Sequence, residues 1–141
     1  MLHINMMNLQ TIQKVIFRKM NTPTLCQYIF VPKKPRMSKG KIASQVSKVA
    51  VLALESSNRE QKINIKKWIF ENGMMTIVLQ VKNQIELQNV RLYLEQEKIM
   101  NAAYHDEGYT EVPPGTMTAI ATGIIDREKD GWRFEKYKLF R

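Results

Sequence analysis

Apolar positions along this chain change period several times, and each change marks an element. Leu25 to Pro32 (LCQYIFVP) is a continuous apolar run, rich in aromatic and β-branched residues and closed by proline, which predicts a buried strand. After a polar loop, Ser38 is suited to cap a helix, and Ile42, Val46, Val49, Ala50 and Ala53 recur every three or four residues to about Glu55. A second helix is predicted around Ile63 to Glu71, containing Trp68, with Asn72-Gly73 ending it as a C-cap. Met75 to Val81 (MTIVLQV) reads as a strand. Asn83 and Glu86 resemble a capping box, opening a helix through about Glu97 with Ile85, Leu87, Val90 and Leu94 on its apolar face. Asn101 to His105 is a short third strand and Met117 to Ile125 a fourth, separated by DEGYTEVPPGT, whose glycines and prolines break any period. Asp130-Gly131 signals a turn, after which Trp132 to Phe140 reads as an aromatic, strand-like ending.

Strands alternating with helices predict an α/β fold, a three-layer α/β/α sandwich with a mixed, mostly four-stranded central sheet. The chain of 141 residues is long enough for one domain with a real core. Residues 1–24 are expected to be a basic N-terminal extension and 25–141 the folded domain. Within that extension, Met6 to Met20 places Leu9, Ile12, Ile16 and Met20 at helical spacing, with Lys14, Arg18 and Lys19 on the polar side. An acid-free amphipathic segment also suits mitochondrial targeting, although its single arginine and lack of serine favour an appendage or an upstream extension before a start at Met20. No apolar run approaches membrane-spanning length, so no membrane partner is expected.

Charge sharpens this picture. The first 54 residues carry nine Lys or Arg and no Asp or Glu, since the first acid is Glu55. The net charge of +9 therefore lies in the N-terminal part, where it can form one surface facing a polyanion. Cys26 is the only cysteine, which excludes an intramolecular disulfide and a multi-thiolate metal site. His3 and His105 are the only histidines, so a Ser-His-Asp apparatus would have to be built on His105 beside Asp106.

Ligands of open α/β sheets gather beyond the carboxyl ends of the strands. The loop after the first strand holds Lys33, Lys34, Arg36, Lys39 and Lys41; the loop after the third holds Asp106, Thr110, Thr116 and, entering the fourth strand, Thr118. If the first and third strands are neighbours, a cationic helix start faces a carboxylate and several hydroxyls across a small cleft. Helix starts bind anions through free N–H groups and a partial positive charge, and lysines there add salt-dependent affinity for phosphate.

Two segments, MSKGKIASQ and DEGYTEVPPGTMT, carry a resemblance to the archaeal and eukaryotic type of peptidyl-tRNA hydrolase, whose members show M-x-K-G-K-x-A-x-Q after the first strand and D-A-G-R-T-x-x-x-P-G-T-x-T before the last central one. KKWIFENG, MTIVLQV and KYKLF also lie where members place their counterparts, so the resemblance spans about Gln27 to Phe140. It implies a hydrolase that cleaves the ester between a peptide and the terminal ribose of tRNA, freeing tRNA from aborted translation in the cytoplasm. The partner implied is tRNA carrying a peptide, often with a homodimeric enzyme. No cofactor and no metal is implied.

Carried over position by position, the family's catalytic lysine falls on Lys39 or Lys41, its aspartate on Asp106 and its threonines on Thr110 and Thr118. Lys33, Lys34, Arg36, Ser38, Gly40, Gln45, Lys48, Tyr109 and Thr116 are the expected tRNA-binding positions, Gly40 because it lets the backbone approach a ligand. The chain also departs from the family. Members carry Q-x-x-H in the first helix, where this chain has Gln45-Val-Ser-Lys48; Tyr109 stands for the motif's arginine and Glu107 for its alanine. Tyrosine cannot replace a bidentate guanidinium contact to phosphate, though it can stack on a base. These departures motivate the alternative of a non-catalytic tRNA- or protein-binding module on the same scaffold.

Overall fold

The computed structural model describes residues 8–13 and 23–141. Four strands, β1 (Leu25–Pro32), β2 (Thr76–Val81), β3 (Asn101–His105) and β4 (Met117–Asp126), form one sheet in the order β2-β1-β4-β3. β1 runs parallel to β2 and antiparallel to β4, and β4 runs antiparallel to β3, so the sheet is mixed. The two central strands are covered on both faces, which is why β1 reads as an unbroken apolar run and is buried throughout.

Helix α1 (Lys39–Glu55) and helix α2 (Arg59–Glu71) lie on one face of the sheet, helix α3 (Gln84–Gln96) on the other, giving the three layers expected. Against α1, Val49 and Ala53 meet Ile29, Val31, Ala119 and Ala121. Against α3, Leu87, Val90 and Leu94 meet Tyr28, Phe30, Leu79 and Ile120. Each fully buried Leu, Ile or Phe side chain contributes roughly 1.5–3 kcal/mol relative to exposure. Trp68 of α2 packs with Leu25 and Ile124 and donates its indole N–H to the Met75 carbonyl at 2.8 Å.

Capping defines the helix starts. Ser38, Asn58 and Asn83 each accept, through the side chain, the N–H three residues on. The expected capping box at Asn83 is half realised: Glu86 donates its N–H to Asn83, but its carboxylate reaches back to the Lys82 N–H at 2.7 Å, one residue before the cap.

Three expectations are corrected. Trp132 to Phe140 is not a strand: after a short helix α4 (Arg127–Asp130), residues Gly131–Phe134 form a 3-10 turn, and only Leu79↔Leu139 makes a β-bridge. Phe134 is drawn into the core by Tyr28 and Phe30, at ring-centroid distances of 4.4 and 5.8 Å, so helical winding buries what a strand would expose. The β1 and β3 strands are not neighbours, because β4 lies between them. β2 begins at Thr76 and β4 extends to Asp126. Of the amphipathic segment Met6 to Met20, residues 9–13 are helical. Residues 6–7 and 14–20 of that segment, with the Met20 start and the targeting reading, lie outside the described residues.

Candidate active site

Although β4 separates them, β1 and β3 run parallel to each other, so their carboxyl ends emerge at the same edge of the sheet. α1 starts just beyond that edge and crosses β4 and β3, which brings its first turns over the end of β3. There Lys41 Nζ meets Asp106 Oδ1 at 2.7 Å, with side chains only 11% and 6% exposed. The other carboxylate oxygen accepts the Gly108 N–H at 2.8 Å. Lys41 holds the Asp106 carboxyl below its ordinary range, the Gly108 N–H adding to the effect, while partial desolvation opposes them.

The loop is folded back on itself to deliver this carboxylate. Asp106 donates its N–H to the Thr116 carbonyl and accepts from the Gly115 N–H, at 2.8 and 2.7 Å. Gly108 has φ +80°, and a Cβ there would stand 2.4 Å from the Pro114 nitrogen, so only glycine fits. The loop is also fastened to α1: Glu111 accepts from the Ser38 N–H and hydroxyl at 2.8 and 2.7 Å, contacts that depress the Glu111 carboxyl. Thus the helix start expected to face a phosphate holds a carboxylate of the chain itself.

Deeper along α1, Gln45 is fully buried and its Oε1 accepts the Thr118 hydroxyl at 2.5 Å, while its Nε2 has no partner among the described residues. Thr118 reaches α1 because of a register shift in the β3–β4 ladder: Tyr104 pairs with Ala119, whereas His105 pairs with Met117. The extra residue on β4 lets consecutive residues Thr118 and Ala119 both turn to α1, while Met117 packs with the α3 side. One turn after Gln45, Lys48 lies over the Tyr104 ring at 5.1 Å, and its charge further favours ionised Asp106.

Other expected residues stand apart from this pair. Lys39, Lys34 and Arg36 are exposed and form no ion pair among the described residues. Lys33 lies over the Phe140 ring at 4.7 Å and donates to the Arg141 main-chain oxygen. A Cβ on Gly40 would meet open space, so steric need does not require glycine there. Thr110 is exposed on the loop, Tyr109 is 86% exposed, and Thr116 Oγ1 donates to the Pro113 carbonyl at 2.6 Å.

Glu111 and Tyr104 are neighbours of the site that sequence reasoning passed over. The only signal for Glu111 was an acid in the loop opposite a capping serine; Tyr104 carried none beyond its place before His105. His105 itself faces a groove beside Arg91 and Leu92 of α3, on the opposite side of the sheet from Lys41, so among the described residues no His105-based triad assembles there. Burial pushes the Cys26 thiol up to about 11, which leaves it neutral and unreactive in the core. Among the described residues, no three or more His, Cys, Asp or Glu side chains gather in a group that could hold a metal ion.

The family model described as Peptidyl-tRNA hydrolase PTH2 matches residues 25–140. Proteins named peptidyl-tRNA hydrolase are similar to this chain. That of Thermococcus onnurineus is 36% identical over 72% of this chain and 86% of its own length. That of Thermoplasma acidophilum is 35% identical over 79% and 94%, respectively. With the two motifs meeting at one edge of an α/β/α sheet and the family model spanning nearly all of the folded part, the chain belongs to the peptidyl-tRNA hydrolase family of the PTH2 type.

Proposed function

We propose that the protein hydrolyses the ester between a peptide and the terminal ribose of tRNA, with Lys41 and Asp106 at the reacting centre. The observation that carries this reading is their buried ion pair at 2.7 Å, at the mouth of the sheet beneath the site loop. Asp106 is ionised at neutral pH and therefore a weak base, so its main role is to orient water through the lone pairs that Lys41 and Gly108 leave free. Water attacks the ester carbonyl and the Lys41 ammonium stabilises the developing oxyanion. The C–O bond to ribose then breaks, the ribose oxygen takes up one of the two protons of the attacking water, and the peptide leaves as a carboxylate while the other proton passes to solvent.

Lys39 is the exposed member of the KGK segment and is assigned to phosphate, with Lys33, Lys34 and Arg36. Thr118 acts through Gln45, positioning the turn of α1 that carries Lys41. Thr110 and Tyr109, on the exposed loop, are assigned to the ester and the terminal base. Lys48 stands in the family's histidine position. A cytoplasmic location and assembly as a homodimer go with this reading.

The test is release of free tRNA from a short N-acylated aminoacyl-tRNA, with Asp106→Ala and the shape-conserving Asp106→Asn alongside. Cleavage by the parent is expected to fall by about 10²- to 10⁴-fold in both variants, with salt-sensitive tRNA binding retained. An undiminished rate in folded Asp106→Asn removes the mechanism. A parent that binds tRNA without cleaving it favours the non-catalytic module, for which Tyr109 in place of arginine is the supporting observation.

A further inference from the structure

At the same edge of the sheet, beyond the carboxyl end of β2, lies a groove of about 460 Å³ that the site does not use. Its walls include Lys33 after β1, Lys82 after β2, and Lys136, Tyr137 and Lys138 from the segment that covers the β2 edge. Three separate parts of the chain thus bring four lysines together. One carboxylate, Glu86, is present, and it accepts the Lys82 main-chain N–H. Lys82, Lys136 and Lys138 are exposed and form no ion pair among the described residues.

At the opposite edge one cation is matched by carboxylates. There Arg133 is paired with Glu97 and Asp130, at 3.1 and 3.0 Å, so its charge is neutralised. Lys98, Arg127 and Lys129 toward that edge also form no ion pair among the described residues, so what distinguishes the groove is that lysines from three segments meet in one concavity. Three strand spacings separate the ends of β2 and β3, about 14 Å. A nucleotide chain whose terminal ribose lies at Lys41 and Asp106 reaches the groove within a few residues, passing over Lys33 and Lys34. Ammonium groups, which lack the planar fork of a guanidinium, suit a phosphate backbone read by charge alone, and two of these, Lys33 and Lys136, rest over the Phe140 and Tyr137 rings at 4.7 and 5.2 Å.

We propose that this groove is a second phosphate-binding surface, holding the tRNA backbone upstream of the ester; it rests on the ester-hydrolase reading above. The groove supplies affinity for the tRNA body and takes no part in the chemistry.

The test compares the full chain with a Lys82→Gln, Lys136→Gln, Lys138→Gln triple variant. A charge-matched Lys62→Gln, Lys66→Gln, Lys67→Gln variant on α2 is the control. Two substrates are used: an N-acylated aminoacyl-tRNA and the N-acylated aminoacyl ester of adenosine alone. The groove variant is expected to raise KM for the tRNA substrate about tenfold and to flatten the log–log salt dependence of tRNA binding by about two to three. Its kcat, and its kinetics on the adenosine ester, should match the parent, and the control should keep the parent slope. An unchanged KM and slope overturns the proposal, as does an equal loss on the adenosine ester or an equal shift in the control. Should the parent cleave neither substrate, the hydrolase reading fails, and the salt slope for deacylated tRNA decides the groove independently.

Discussion

Two groups of lysines sit at one edge of this sheet and are under different physical regimes. At the end of β3, Lys41 is largely buried, 2.7 Å from a carboxylate that also receives a backbone N–H. At the end of β2, Lys82, Lys136 and Lys138 are exposed and lack carboxylate partners among the described residues. Partial burial weakens solvent screening, so the Lys41 charge acts strongly over a short range and its geometry is held by its partner. The exposed lysines act through solvent, weakly and additively, and respond to salt. A charge that must stabilise one developing oxyanion belongs to the first regime, and charges that accompany a polyanion belong to the second. Even within KGK the contrast holds: Lys39 and Lys41 are two residues apart, yet only Lys41 reaches Asp106.

The sharpest way to break that contrast is to remove each of those two side chains in turn. Lys41→Ala should lower kcat by about 10²-fold, whereas Lys39→Ala should raise KM for tRNA a few-fold with kcat unchanged. Single-turnover hydrolysis measures both, and equal effects on kcat would erase the distinction. Next in size, Thr118→Val leaves the buried Gln45 amide without its remaining partner and should cost about 1–3 kcal/mol of stability. Urea unfolding at unchanged m-value reads this, and a parent-like midpoint would mean the amide finds another partner.

The smallest expected effect is of pH between 5 and 7. Because the folded state depresses the Asp106 carboxyl, it stays ionised above its ordinary value of 3.8, and its contribution is lost only as pH falls through the lowered one. The acid limb of kcat/KM should therefore lie below pH 3.8. An acid limb near neutrality would mean that the reaction depends on the ionisation of a group other than Asp106.

Most of the scaffold was legible because the hydrophobic period is a local signal. The β1 run, the spacing of Ile42 to Ala53 and the capping residues Ser38 and Asn83 reported elements that the structure contains. The end of the chain was misread because Trp132 to Phe140 has strand-like composition, while its conformation follows from where Phe134 can reach Tyr28 and Phe30. At the site, residue types were legible but partners were not. Lys41 could not be separated from Lys39, Gln45 and Thr118 gave no sign of pairing, and Glu111 went unnoticed opposite Ser38.

The sequence by itself determined the alternation of elements, the acid-free basic start and the two motifs that mark the family, all properties of neighbouring residues. Tertiary structure alone decided that β4 would lie between the two site strands while leaving both loops at one edge. It also decided that one extra β4 residue would turn Thr118 toward α1, and that lysines from beyond residue 54 would join the basic edge. The physical reason is that sheet order, register and a charge's surroundings depend on contacts between segments far apart in the chain, which no local period encodes.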